Sequence, residues 1–334
     1  MTSVHWAFDD AQEYGRAALI GHLAAGVPDV AGSVRALQVL SRHVDVLEVG
    51  LDDSHLSAVD AVRVISAVTA SVRVPVLLRT PWEPMRLHSP RALAAALAGA
   101  EAAGVVLPDL HPYSRGAGQW LRVAAKYRLA TVFSACDSHV YAAVAASTGW
   151  VRLPVAPAYE PSDALDVEAV RAHAWMLASI SLAPICASGY LRPDQAAAIA
   201  PTVDAIEVDA PFARAVQLAR GDGDFALLDQ CGHDYATAVR ARATGRHLSR
   251  MSPNTATAWC TERALRTSPR RPRQWRRVRP PPSPVPHHRT TVAGTDQLMT
   301  TDTTPPPPAG RRRARVYAHP RLPDLLHVTF PDPT

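Results

Sequence analysis

The chain has 334 residues, 47% of them hydrophobic, and a formal net charge of +5. At roughly 100–200 residues per domain it holds one large domain or two modest ones, with core enough to fold without a disulfide or metal staple. The cysteines Cys136, Cys186, Cys231 and Cys260 form no CxxC pair, no apolar run is long enough for a membrane span, and Met1–Asp10 carries Asp9 and Asp10 instead of a basic leader, so structural zinc, a disulfide framework, a transmembrane segment and a signal peptide are not expected and the expected location is the cytoplasm.

Up to about residue 245, short apolar β-branched runs alternate with longer segments of helical period. Strand Ala18–Leu23 precedes helix Gly32–Ser41, and strand Val44–Val49 precedes helix Ala58–Thr69. Val74–Leu78 and Pro90–Ala103 follow, then Gly104–Leu107 and Gly116–Tyr127, then Ala130–Ser134 and Ser138–Ser147. The last three pairs are Trp150–Val155 with Asp166–Ser179, Ala183–Ala187 with Pro193–Ala200, and Ala205–Val208 with Pro211–Arg220. Ser89-Pro90 and Arg192-Pro193-Asp194 are helix-start signals. Eight strand–helix units predict an α/β fold, a (β/α)8 TIM barrel, which typically takes ~250 residues. A doubly wound sheet is the alternative, because local pattern does not see closure. The absence of GxGxxG after the first strand argues against a dinucleotide fold.

Beyond that point the composition changes. From Arg240 to the end there are 18 arginines and 5 acids, whereas the first 239 residues carry 17 basic and 25 acidic residues. Sixteen prolines fall from Met251 onward, and islands such as Leu325-Leu326-His327-Val328 are too short for a core. The division expected is therefore a barrel over 1–245 and a disordered, basic Pro/Arg-rich tail over 246–334. Arg270-Arg271-Pro272-Arg273-Gln274-Trp275-Arg276-Arg277 suits nucleic acid or an acidic surface, but a solvated tail, or the product of a frameshift or read-through, is the stronger reading; nucleic acid is the weaker expectation and no membrane partner is expected.

In a barrel of this kind the active site lies at the C-terminal ends of the strands. Those positions hold Glu48 with Asp52 and Asp53, Arg79-Thr80-Pro81-Trp82, Asp109, Ser134, Ala156-Pro157-Ala158-Tyr159, Ser188-Gly189-Tyr190 and Asp209-Ala210. Glu48 interrupts an apolar run. It is either an acid–base group with a raised pKa or a carboxylate satisfied by a neighbouring donor. Asp109 reads as a cap or a site residue, and Asp52 and Asp53 as site carboxylates or an ordinary loop. His55, His111 and His139 lack ligand spacing, so no metal and no cofactor are expected.

At these residues the chain resembles the tryptophan synthase alpha subunit family. The motifs are Gly15-Arg16-Ala17-Ala18-Leu19-Ile20 through Ala24-Ala25-Gly26-Val27-Pro28-Asp29, Asp45-Val46-Leu47-Glu48-Val49-Gly50, Pro75-Val76-Leu77-Leu78 with Thr80-Pro81-Trp82-Glu83-Pro84, Leu107-Pro108-Asp109-Leu110, and Pro184 to Val208. The resemblance implies a barrel, a beta-subunit partner and retro-aldol cleavage of indole-3-glycerol phosphate to indole and glyceraldehyde 3-phosphate. It makes Glu48 the general acid–base. It points to Thr80, Trp82, Asp109, Gly189 and Asp209 as substrate-binding positions.

The family's second catalytic aspartate lies in a loop that is cut here to Leu51-Asp52-Asp53-Ser54-His55, leaving Asp52 and Asp53 as substitutes. Its phosphate loops are altered too. Pro157 lacks an N–H, only Gly189 survives after strand seven, and Asp209 stands where a phosphate would sit. A carboxylate there repels an anion ~4 Å away by about 4 kcal/mol at an effective dielectric of ~20. Two functions follow: a lyase of this type on indole-3-glycerol phosphate or an altered indole-type substrate, or a catalytically degenerate barrel kept as a binding or regulatory module.

Overall fold

A computed structural model describes residues 4–51, 56–136, 139–156, 165–219 and 224–240, and the backbone of 315–319 and 322–329. The strands are β1 (Ala18–Ala24), β2 (Val46–Gly50), β3 (Val76–Arg79), β4 (Gly104–Leu107), β5 (Ala130–Ser134), β6 (Val151–Pro154), β7 (Ile185–Ser188) and β8 (Ala205–Val208). They close in that order into a parallel barrel, β8 pairing with β1. Closure decides between the two folds that the strand–helix alternation allowed.

Around the barrel run α2 (Val30–Leu40), α3 (Ala58–Thr69), α5 (Pro90–Gly99), α6 (Arg115–Tyr127), α7 (Val140–Ala146), α8 (Val167–Ile180), α9 (Pro193–Ile199) and α10 (Ala210–Gln217). Side-chain oxygens start several of them: Asp29, Ser57, Ser114 and Asp166 accept the backbone N–H of Gly32, Asp60, Ala117 and Ala169. Each satisfies an otherwise orphaned helix donor.

Some boundaries differ from the expected ones for local reasons. β3 and β7 begin only after Pro75 and Pro184, because proline has no N–H for the ladder; their carbonyls still accept from Leu47 and Val151. The helix expected to reach Ala103 stops at Gly99, where the chain turns through Glu101 at φ 56°. Three helices were not anticipated: α1 (Val4–Glu13), α4 (Trp82–Leu87) and α11 (Ala226–Arg240). The first buries Val4, Ala7, Phe8 and Ala11, one face at helical spacing, into the N-terminal end of the barrel. The last buries Leu228, Gly232, Tyr235, Ala236 and Val239, and its Tyr235 hydroxyl donates to the Leu191 carbonyl.

Two apolar bodies result. One fills the space between strands and helices and includes Leu37, Leu47, Ile65, Leu78, Leu97, Trp120, Phe133 and Phe212. The other fills the lower barrel interior. The chain divides into two units, Met1–Pro269 and Arg270–Thr334. Within the second, β9 (Arg315–His319) and β10 (Leu322–Thr329) pair as an antiparallel hairpin, in a stretch where the sequence suggested no element. The rest of the expected tail and the boundary near 245 lie outside the described residues.

Candidate active site

Strand alternation dictates which side chains enter the barrel. Ile20, Val46, Leu77, Val106, Val132, Trp150, Cys186 and Ala205 belong to the lower interior cluster. A residue two positions further along the same strand faces the same way, one step nearer the C-terminal mouth. Those residues are His22, Glu48, Arg79, Pro108, Ser134, Arg152, Ser188 and Glu207. All but the proline are polar and buried.

Glu207 is the centre of an ionic cluster. Its carboxylate accepts from Arg152 Nε at 2.7 Å and Nη2 at 2.8 Å, and from Arg79 Nη1 at 3.1 Å. The planar guanidinium fork suits this two-point grip. Arg79 Nη1 also reaches Asp209 Oδ2 at 3.1 Å, and Asp209 Oδ1 lies 2.8 Å from His22 Nδ1. Burial by itself would push the Glu207 carboxyl up, but Arg152 and Arg79 together hold it below the ordinary carboxylate value.

Glu48 behaves in the opposite way. It is 0% exposed, and neither carboxyl oxygen has a hydrogen-bond partner among the described residues. Burial, reinforced by the charge on Glu207, pushes its pKa up to about 8, against the weaker pull of Arg79, His22 and Arg152. Near neutral pH it therefore carries a proton. The two interior carboxyl groups hold different protonation states because Glu207 is hydrogen-bonded by arginines and Glu48 by none among the described residues, the pattern that separates an acid from a spectator.

The structure brings Glu48 and Asp209 of the anticipated residues to this layer. Asp209 is not the uncompensated carboxylate that the sequence suggested, because the Arg79 guanidinium lies 3.1 Å away. Thr80 is on the opposite strand face from Arg79, and its hydroxyl donates to the Pro81 carbonyl. Asp109 accepts the Trp82 backbone N–H at 2.9 and 3.2 Å, at the start of α4, so it caps that helix. The Trp82 ring lies where a side chain at Gly116 would sit. Gly189 has φ +140°, and a Cβ there would overlap the Ala156 carbonyl, so the chain needs glycine for that close approach. Asp52, Asp53, His55 and Pro157 lie outside the described residues. His111 and His139 rings lie with centroids 3.9 Å apart, tilted by 44°, and the described residues contain no group of three or more His, Cys, Asp or Glu placed to hold a metal.

Three members of the layer were missed, His22, Arg152 and Glu207, and Arg79 was placed at the strand ends without its ionic partners. The signal that singled out Glu48, a polar residue inside an apolar strand, is present equally in Ile20-Gly21-His22-Leu23, Trp150-Val151-Arg152-Leu153 and Ala205-Ile206-Glu207-Val208. Register places them near one another: His22 pairs with Glu48 and Glu207 with Ser188, while Arg79 pairs with Gly50, one inward step beyond Glu48.

No family model matches the chain. It is similar to the tryptophan synthase alpha chain of Acidothermus cellulolyticus, 32% identical over 271 residues that cover 73% of this chain and 100% of that one. The Mycobacterium intracellulare alpha chain is 30% identical over 263 residues, 71% of this chain and 94% of the relative. Against the Salinispora tropica alpha chain the match is 31% over 175 residues, 45% of this chain and 64% of that relative's length. Among solved structures, tryptophan synthase from M. tuberculosis in its aminoacrylate-bound form superposes with a TM-score of 0.61 at 25% identity, over 72% of this chain and 100% of that one. The alpha subunit from Legionella pneumophila superposes at 0.63 with 18% identity, over 72% and 98%, a likeness of fold alone.

Proposed function

The chain belongs to the tryptophan synthase alpha-chain family, and from that premise we propose that it is a carbon–carbon lyase using Glu48 as proton donor in a retro-aldol cleavage of an indole-3-glycerol-type substrate. The observation that carries this is the Glu48 carboxyl: fully buried, without a protein partner among the described residues, and protonated near neutral pH. Cleavage needs a proton on the ring carbon that loses its side chain, and a group with a pKa near the working pH is suited to supply and retrieve it.

The substrate in this reading lacks the phosphate. Cations around the mouth are already matched to carboxylates: Arg79 to Glu207 and Asp209, Arg152 to Glu207, Arg192 to Asp194. At the start of α10, Pro211 removes one of the backbone donors that would bind an anion. The partner is a tryptophan synthase beta subunit. Exposed Leu87, Tyr113 and Tyr141 on the segments following β3, β4 and β5 support an interface on the mouth side.

The test is indole release by the full chain from indole-3-glycerol and from its phosphate, with wild type and Glu48→Gln. The expected outcome is release by wild type, with the unphosphorylated compound used at least as well, and a loss of about 10²–10⁴-fold in Glu48→Gln. Equal rates in wild type and mutant would remove Glu48 from the chemistry; clear preference for the phosphate ester would remove the substrate assignment. A second reading, a barrel that binds without turnover, is favoured by one observation: the ion pairs of Glu207 occupy interior space that a substrate would need. Absence of indole release with both compounds would select it.

A further inference from the structure

A retro-aldol step needs a base as well as an acid, and the loop expected to supply one is shortened to residues 51–55. The barrel wall offers another group. His22 is on β1 directly across from Glu48 in the β1–β2 ladder, with both side chains facing the interior. Paired residues on neighbouring strands are about 4.8 Å apart, so the imidazole and the carboxyl border the same space. The ring is 1% exposed, and its Nδ1 lies 2.8 Å from Asp209 Oδ1. A carboxylate at that distance stabilises the cation formed when the ring takes a proton, and draws the existing ring proton toward its own side. Asp209 is itself anchored by Arg79 at 3.1 Å, so the orientation of the dyad is fixed from a third strand.

We propose that His22, oriented by Asp209, is the catalytic base that takes the hydroxyl proton of the substrate side chain while Glu48 protonates the ring. The inference rests on the lyase reading above. The Glu48 proton goes to the ring carbon bearing the side chain, placing a positive charge on the ring. His22 Nε2 then removes the proton of the hydroxyl on the adjacent carbon. The O–H electron pair becomes the second bond of the aldehyde carbonyl, the carbon–carbon bond breaks, and its electron pair returns to the ring and restores aromaticity. The products are indole and an aldehyde, with His22 as imidazolium and Glu48 as carboxylate. Transfer of one proton from His22 to Glu48 resets the site with no other reactant. Glu207, Arg79 and Arg152 face the same space and keep their charges throughout.

The experiment measures kcat and KM for indole release by the full chain for wild type, Glu48→Gln, His22→Ala, His22→Gln and Asp209→Asn, with and without imidazole in solution. His22→Ala is expected to lose about 10²–10⁴-fold in kcat, with KM little changed, and to regain part of it with imidazole. Asp209→Asn is expected to fall less and to gain nothing from imidazole. If His22→Ala does not fold, judged by thermal melting, the volume-conserving His22→Gln decides. A kcat near wild type in a folded His22 variant overturns the base assignment while Glu48→Gln remains inactive. A folded His22→Ala that loses activity and is not rescued also overturns it, as a structural role. No indole release by wild type overturns the lyase reading and this inference together.

Discussion

The lower and upper halves of the barrel interior are built on the same eight strands, two residues apart, and hold opposite chemistry. Below, Ile20, Val46, Leu77, Val106, Val132, Trp150, Cys186 and Ala205 pack against Val4, Ala7, Phe8 and Ala11 of α1. Above, His22, Glu48, Arg79, Ser134, Arg152, Ser188 and Glu207 form a buried polar layer. Burying an aliphatic or aromatic side chain contributes roughly 1.5–3 kcal/mol, whereas a buried ion pair costs desolvation that its Coulomb attraction only just offsets. The lower layer therefore stabilises the barrel. The upper layer contributes little net stability and fixes where protons and charges sit.

That contrast can be broken most decisively at Glu207. Glu207→Ala leaves Arg79 and Arg152 buried without their shared carboxylate and should cost about 3–5 kcal/mol in urea denaturation. Replacing Arg79, Arg152 and Glu207 together by apolar residues of similar volume should instead be neutral or stabilising by about 1–4 kcal/mol. Leu77→Ala in the layer below, a cavity in apolar surroundings, should cost about 2–5 kcal/mol with no such compensation available. A Glu207→Ala variant as stable as wild type would show that the upper layer is solvated and that the comparison fails.

A smaller effect sharpens the comparison through pH. The folded pKa of Glu48, about 8, is above its ordinary 4.5. Between those values the folded chain keeps a proton that the unfolded chain releases, so this group lowers stability as pH rises across that window. Glu207 has the reverse sign: its pKa is lowered, and its contribution is lost as pH falls through the carboxylate range. Melting temperatures of wild type and Glu48→Gln should diverge from pH 5 to pH 8, with the mutant favoured at the upper end. Parallel curves would mean that Glu48 is not desolvated.

The smallest effect is expected outside the barrel. From Met251 onward the chain has sixteen prolines and only short apolar islands, so it has little apolar surface to contribute. Truncation after about Arg246 should therefore leave the melting of the barrel nearly unchanged. A fall comparable to that of Leu77→Ala would place part of the barrel core in the removed segment.

Much of this was legible in the amino-acid order. Eight apolar runs with helical segments between them specify strand–helix units because pleat and helix impose periods that any local stretch displays, and β4, β5 and β8 fall where those runs predict. Glu48 stood out because a charge in an apolar strand needs a reason. The helical spacing of Val4, Ala7, Phe8 and Ala11 was equally present, but without a strand before it α1 had no place in the repeat.

Other features depend on closure. That Asp209 meets Arg79 and lies beside His22, and that Glu207 joins Arg152 on β6 to Arg79 on β3, are contacts between segments far apart in the chain. Sequence alone determined that these strands carry polar residues within apolar runs. Only the closed barrel decided that they meet, because pairing β8 with β1 turns residues more than a hundred positions apart into one shared interior, and the charge each carries depends on which neighbours it meets there.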